Sequence, residues 1–211
     1  MPKGSPELVR SRCEEIVDAC AELYETMSFK DISIKLIGEK TSFSRPSIYN
    51  YFETKEEIFL AILKREHEAW ILELKKLKKD HENISKNDFA DILAKALKKR
   101  LTMLKLLAMN LYDIEAKSRK TNLVEFKKVY AASMEALAEC LRKFFPKMSE
   151  DDIKEFLYIF YPFMFGVYPY AVADDRQKEA MDEAGIAYAP YELEEITRLF
   201  VIKLLGPFEN S

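Results

Sequence analysis

Apolar residues recur every three or four positions along most of the chain, the signature of helices with one buried face. Val9, Cys13, Ile16, Val17, Cys20, Leu23, Tyr24 and Met27 trace the first such face, after an N-cap at Ser5 and a first-turn proline at Pro6. The pattern then shortens. Ser33 is placed to cap a brief helix, IKLIGEK, with Ile34 and Ile37 inward, and TSF (41–43) reads as a turn. Ser44 then caps a third helix of about eight residues that tolerates Pro46 in its first turn and turns Ile48, Tyr49 and Phe52 to the core. Thr54 with Glu57 has the spacing of a capping box. It opens a fourth, long helix faced by Ile58, Phe59, Ile62, Leu63, Trp70 and Leu74, which ends near the lysine-rich KKLKKDHEN.

The second half is also helical. Residues 86–109 predict one amphipathic helix, and 110–119 a short helix or a bent continuation. In 121–145 the stripe Leu123, Phe126, Tyr130, Met134, Leu137, Leu141 and Phe144 runs until Pro146 stops it. Ser149 and Asp152 start a helix that carries the aromatic run FLYIFYPFMFGVYPYA to about Asp174, with a kink expected near Pro162 or Pro169. Residues 174–186 predict a short helix or a solvated loop. Pro190 begins a final helix with Leu193, Ile196, Leu199, Phe200 and Leu204 inward, ended by Gly206 and Pro207. The fold class is therefore all-α. Residues 1–53 form a three-helix unit containing a helix-turn-helix, and 54–211 a second helical domain, with helix 54–79 bridging the two.

Composition agrees and adds limits. The chain has only five glycines, while hydrophobic residues make 48% and charged residues 33% of it, enough for a core and a soluble surface. Net charge is −3, so affinity for nucleic acid must come from a local patch. Cys13, Cys20 and Cys140 are an odd number without metal spacing and read as buried reduced thiols, which fits a cytoplasmic protein. The N-terminus MPKGSPELVR has no apolar core of a signal peptide. The 156–173 stretch, broken by two prolines and a glycine, suits a buried helix better than a membrane span, so no membrane partner is expected.

The local patch lies between Lys30 and Lys55. Over 29–55, five positive residues (Lys30, Lys35, Lys40, Arg45, Lys55) face three negative ones (Asp31, Glu39, Glu53), a balance of +2. Two short helices joined by a tight turn match a helix-turn-helix, whose second helix enters the major groove of DNA. Arg45 offers a planar fork for guanine or phosphate, Ser44 and Ser47 add short donors, and the helix N-terminus adds free amides.

The run FKDISIKLIGEKTSFSRPSIYNYFETKEEI resembles the DNA-binding domain of the tetracycline-repressor (TetR) family of transcriptional regulators. The likeness lies in the spacing from Phe29 to Ser33, the inward Ile37, then S-x-x-S-I-Y-x-Y-F and T-K-E-E, in order. It extends over residues 8–66; beyond them it rests on the length and helicity of the C-terminal half. The resemblance implies a homodimer that binds palindromic double-stranded operator DNA and releases it when a small molecule enters the C-terminal domain. It gives Ser33 a phosphate contact, Ser44, Arg45, Pro46 and Ser47 the base-reading start of the recognition helix, Tyr49, Asn50 and Tyr51 backbone contacts, and Lys55 a basic contact at the start of helix four. Two positions depart from the family pattern: Thr41-Ser42 stand where Ala-Gly is usual in the turn, and Pro46-Ser47 where Gly-Thr is common.

The aromatic excess of 156–171 beyond one helical face suggests an apolar effector pocket with a few tyrosine hydroxyls. Its candidate lining is Trp70, Met103, Met109, Tyr112, Phe160, Met164 and Tyr168, which favours a hydrophobic or aromatic effector. The resemblance implies that helices 150–173 and 191–204, both rich in apolar residues, form the dimer surface. His67 and His81 have no ligand-spaced partner and read as surface or boundary residues. No metal site, cofactor or catalytic residue is expected, and so no enzyme. The rival readings are a metal-dependent helical-bundle enzyme, which needs inward Glu and Glu-x-x-His, and a helical module whose basic patch meets an acidic protein.

Overall fold

The computed structural model describes residues 5–186, 191–206 and 208, and every described element is helical. The order is α1 (Pro6–Thr26), α2 (Ile34–Glu39), α3 (Arg45–Ile48), α4 (Lys55–Asp80), α5 (Lys86–Lys98), α6 (Leu101–Met109), α7 (Leu111–Ala116), α8 (Lys120–Phe144), α9 (Glu150–Ala171), α10 (Asp175–Glu183) and α11 (Leu193–Leu204). Packing divides the chain into two compact units. One is the chain up to His67 with Asn110–Tyr130; the other is Glu68–Met109 with the chain from Ala131 onward. The division differs from a cut at residue 53, because the start of α4, α7 and the start of α8 pack with the N-terminal helices. α4 and α8 each contribute to both units. Pro190, Pro207 and the first four residues, which bear on the expected helix ends and the absence of a leader, lie outside the described residues.

In the first unit the caps form as the residues dictate. The Ser5 hydroxyl accepts from the Leu8 amide and the Ser33 hydroxyl from the Leu36 amide. Ile16, Cys20 and Tyr24 of α1 are buried with Ile37 of α2, Ile48 of α3 and Ile58, Phe59, Ile62 and Leu63 of α4. Each such side chain contributes about 1.5–3 kcal/mol. The Phe59 ring sits 4.7 Å from Phe29 and 5.2 Å, edge-on, from Tyr24. Gly38 lets α2 and α3 close on one another: a Cβ there would stand 3.3 Å from the Arg45 Cβ.

The third helix is shorter than the pattern predicts, four residues in place of eight. Past Ile48 the chain tightens into turns, with the Asn50 amide donating to Ser47 O at 3.2 Å and the Tyr51 amide to Ile48 O at 2.8 Å. This spacing of three carries Tyr51 and Phe52 inward with Ile48 and leaves Tyr49 exposed, the reverse of the expected roles of the two tyrosines. The capping box at α4 is also shifted. The Thr54 hydroxyl accepts from the Glu57 amide at 3.2 Å, but the Glu57 carboxylate takes the Glu53 amide at 2.8 Å.

In the second unit, α11 packs on α5 and α9, and α6 on α9. The predicted helix 86–109 is two helices, parted at Lys99–Arg100. α5 has one apolar face, whereas α6, LTMLKLLAM, buries Met103, Leu104, Leu106 and Leu107 and so needs cover on more than one side. One straight axis cannot serve both. α9 opens with a full capping box between Ser149 and Asp152 and remains one helix through Pro162 and Pro169. α10 buries none of its residues. α11 turns Leu193, Thr197, Val201 and Leu205 inward, a ridge of four-residue steps; Leu199 is exposed, and Ile196, Phe200 and Leu204 are half-buried. No single described helix is long and apolar enough to cross a membrane.

Candidate nucleic-acid interface

The turn between α2 and α3 is built by side chains, without a left-handed residue: the one positive φ among the described residues is at Gly185. The Thr41 hydroxyl lies 3.1 Å from Gly38 O and 3.0 Å from Phe43 O, able to donate to either. The Glu15 carboxylate, reaching from α1, accepts from both the Ser42 amide and the Ser42 hydroxyl. Thr41 and Ser42 thus do by hydrogen bonding what Ala-Gly does by backbone freedom.

On this frame the start of α3 stands out from the unit. Ser44, Arg45 and Pro46 are exposed and Ser47 half-buried. Ser44 has extended N-cap geometry, yet its hydroxyl pairs with the Ser47 hydroxyl at 3.2 Å and caps no amide. The two hydroxyls therefore satisfy each other until a better partner arrives. Arg45 enters no ion pair among the described residues; its Nη2 donates to the exposed Tyr49 hydroxyl at 3.5 Å, a long bond that is easily exchanged. Four residues of helix carry little dipole, so the cation and the hydroxyls hold the anion-binding capacity, not the helix end.

The other sequence candidates divide. Ser33 is exposed while it caps α2, and Asn50 is exposed. Tyr51 is buried, and its hydroxyl accepts from Arg12 Nη1 at 3.2 Å. Lys55 turns inward: Nζ donates to Phe29 O at 2.7 Å and Ile32 O at 2.9 Å, and lies 4.6 Å from the centre of the Phe29 ring. Of the five positive residues in the patch, Lys35 pairs with Glu39 and Lys40 with Glu22. Lys30 and Arg45 remain outside any described ion pair. Arg12, over the Phe43 ring at 5.7 Å, belongs to the same cluster. Nothing in its helical spacing marked it, because it reaches the turn only through the packing of α1.

The interior candidates also divide. In the second unit Trp70, Met103, Phe160 and Met164 have no exposed surface, and the Trp70 and Phe160 rings stack at 6.5 Å. Tyr168 is half-buried, and burial raises its phenol above the usual range. Met109 and Tyr112 do not belong with them: they are 62% and 87% exposed. Buried polar groups that the sequence reading passed over join this core. The Ser133 and Tyr161 hydroxyls meet at 2.9 Å, while Trp70 Nε1 and Thr197 Oγ1 are buried without a hydrogen-bond partner among the described residues. His67, expected at the surface, is fully buried in the first unit between the ring edges of Phe126 and Tyr130. Cys20 and Cys140 are buried and pushed up to about 12 by burial, so they are inert; Cys13 is half-buried.

Among the described residues no group of three or more His, Cys, Asp or Glu is placed to hold a metal ion. Residues 16–62 match the family model described as bacterial regulatory proteins, tetR family, and residues 64–206 match the one described as tetracyclin repressor-like, C-terminal domain. Two solved structures share the fold. The fatty acid degradation regulator FadR from Bacillus halodurans has a TM-score of 0.61 at 14% identity, over 96% of each chain. The transcriptional regulator FadR from Bacillus subtilis, solved in complex with stearoyl-CoA, has a TM-score of 0.62 at 12% identity, over 93% of this chain and 99% of that one. No curated protein matches the sequence.

Proposed function

The chain belongs to the TetR family of bacterial transcriptional regulators, and from that premise we propose that it is a homodimeric repressor that binds a palindromic operator and is released by a small, mainly apolar effector. The observation that carries the DNA-reading part is the start of α3: an exposed guanidinium outside any described ion pair, beside two hydroxyls bonded only to each other, on a turn clamped by Glu15. Arg45 reads a base edge or a phosphate. Ser44 and Ser47 exchange their mutual bond for phosphate or base. Ser33, Asn50 and Tyr49 grip the backbone, and Pro46 stiffens the first turn. Tyr51 and Lys55 act indirectly, the first by anchoring the segment after α3 and the second by tying α4 to the carbonyls of Phe29 and Ile32.

The effector class rests on the second unit. Its interior joins Trp70, Met103, Phe160 and Met164 to a few buried polar atoms, the mixture that suits an apolar body with one or two polar groups. The likeness to a regulator solved with stearoyl-CoA supports an effector with a long acyl chain, whether or not it carries a polar head group.

The test is binding to DNA from upstream of the protein's own gene, titrated across salt concentrations. Tight, sequence-selective binding that weakens steeply with salt is expected. Arg45→Ala is expected to lose about 1–3 kcal/mol of specific binding. Unchanged operator affinity in that variant removes Arg45 from the reading role. Acyl-CoA esters of graded chain length, added to the preformed complex, test the effector class: release that grows with chain length is expected, and release by none of them rules it out.

A further inference from the structure

The link between α3 and α4 has no regular structure of its own. It is held internally by the amides of Asn50, Tyr51 and Phe52, which donate back to Ser47 O and Ile48 O. A link of this kind fixes the direction of α3 against α4 only if something else braces it. The brace comes from 62 to 68 residues further along the sequence, and it is Arg119, at the corner between α7 and α8.

Arg119 spends its donors on this link and on the first turn of α4. Nε and Nη2 grip the two oxygens of Glu57 at 2.6 and 2.8 Å, Nη1 reaches Glu53 Oε1 at 3.0 Å, and Nη2 also reaches Tyr51 O at 3.2 Å. Its backbone amide adds a bond of 3.1 Å to Glu57 Oε1. The Glu57 side chain is fully buried and takes a fourth donor, the Glu53 amide. One side chain therefore joins the last turn of the reading segment, the link and the first turn of α4.

The rest of the 110–119 segment is pinned to the same unit. At its start, Asn110 Oδ1 accepts from the Tyr24 hydroxyl of α1 at 3.0 Å. At its end, the Thr54 hydroxyl donates to Lys117 O at 3.2 Å, and the Lys117 ammonium lies 3.4 Å from Glu56. Ile114 between them is buried. α7 is thus a strap across the base of the reading head, fastened at both ends, although it lies far outside the sequence of the helix-turn-helix.

We infer that Arg119 is a positioning residue for operator reading, and that the strap Asn110–Arg119 is a working part of the DNA-binding head. The inference rests on the DNA-reading function proposed above. Its physical content is that the Arg119 fork sets the angle at which α3 is presented; nothing in it requires Arg119 to touch DNA. Only a planar, multiply donating cation can bridge Glu57, Glu53 and a carbonyl at once, so lysine is a poor substitute.

Three variants separate positioning from simple support. Arg119→Met leaves the Glu57 carboxylate buried and unpaired, and is expected to lower both thermal stability and operator affinity. The double variant Arg119→Met with Glu57→Gln removes both charges but keeps an acceptor for the Glu53 and Arg119 amides, so stability is expected to return while operator affinity stays down by about tenfold and selectivity over random duplex falls. Wild-type affinity and selectivity in a stable double variant would reduce the pair to a structural ion pair and overturn the inference. Arg119→Lys is compared with wild type by amide hydrogen exchange without DNA. Faster exchange confined to Asn50–Glu57, with the α1 amides unchanged, is expected; unchanged exchange in that link overturns the inference whether or not the double variant folds. A wild-type protein that selects no DNA while the exchange result holds would sink the DNA-reading proposal and leave the strap intact.

Discussion

His67 has no exposed surface, and neither ring nitrogen has a hydrogen-bond partner among the described residues. It sits edge-on to Phe126 and Tyr130, with Lys127 the charged neighbour from α8. Burial, reinforced by Lys127, lowers its pKa from 6.5 to about 4. The unfolded chain therefore takes up a proton that the folded one refuses between those two values. The contribution to stability is complete above pH 6.5 and falls as pH drops toward about 4, by about 3 kcal/mol in total. His67→Leu is expected to flatten the unfolding free energy over that window, read by denaturant titration at several pH values; an unchanged slope would show that the ring is protonated in the folded state. Glu57 behaves differently. Burial pushes its carboxyl up, but the Arg119 guanidinium and two amides outweigh burial and hold it below the usual range. Its contribution is present above the ordinary carboxylate pKa and is lost only as pH falls through the lowered value, so in the His67→Leu variant the remaining acid sensitivity lies in more acid solution. Neither group was legible in the sequence: His67 lacks ligand spacing, and the partner of Glu57 lies 62 positions away.

At the scale of elements, Gly38 shows how two short helices become one rigid reader. A glycine inside α2 is by propensity a defect, and Gly→Ala at an indifferent site stabilises a helix by about 1 kcal/mol. Here the new Cβ would meet the Arg45 Cβ at 3.3 Å and the Arg45 Cα at 3.4 Å, closer than packed carbons sit, so α3 must shift by a few tenths of an ångström. Gly38→Ala is therefore expected to bring no gain in stability and to weaken operator binding, and Gly38→Val to cost about 1–3 kcal/mol of stability. Unfolding and operator titration of the two variants check both; a stabilised Gly38→Ala with unchanged affinity would show that α2 and α3 tolerate a wider spacing. The elements themselves were largely legible, since the three- and four-residue period and the Ser5, Ser33 and Ser149 caps are local signals. What escaped was set by partners. α3 ends early because Tyr51 and the Glu53 amide are claimed by Arg12 and Glu57. The helix expected over 86–109 breaks because α6 buries residues on more than one side.

For the molecule as a whole, the apolar surface left uncovered in a single chain is the argument for two chains. On α9, Tyr158 and Tyr170 are 75% and 72% exposed, with Ile159 beside them, and on α11 Leu199 is exposed. The stacked Phe163 and Phe200 rings, 4.0 Å apart, join the two helices. Leu199 was expected to face the core, but the ridge Leu193–Thr197–Val201 took that place and left Leu199 outward. Outward leucine and tyrosine on adjacent helices suit a symmetric contact in which each chain offers the same face to the other. In such a contact a substitution would act twice, once on each side of the axis. Leu199→Glu is expected to give a folded monomer by sedimentation, with helix content and unfolding midpoint near those of wild type. Two linked reading heads gain from each other's presence, so the monomer is expected to lose about 100-fold or more in affinity for a palindromic site. Its affinity for an isolated half-site should stay unchanged. Undiminished palindrome binding by the variant would place the dimer contact on another face, whereas equal losses on half-site and palindrome would mean that Leu199 supports the fold of its own chain.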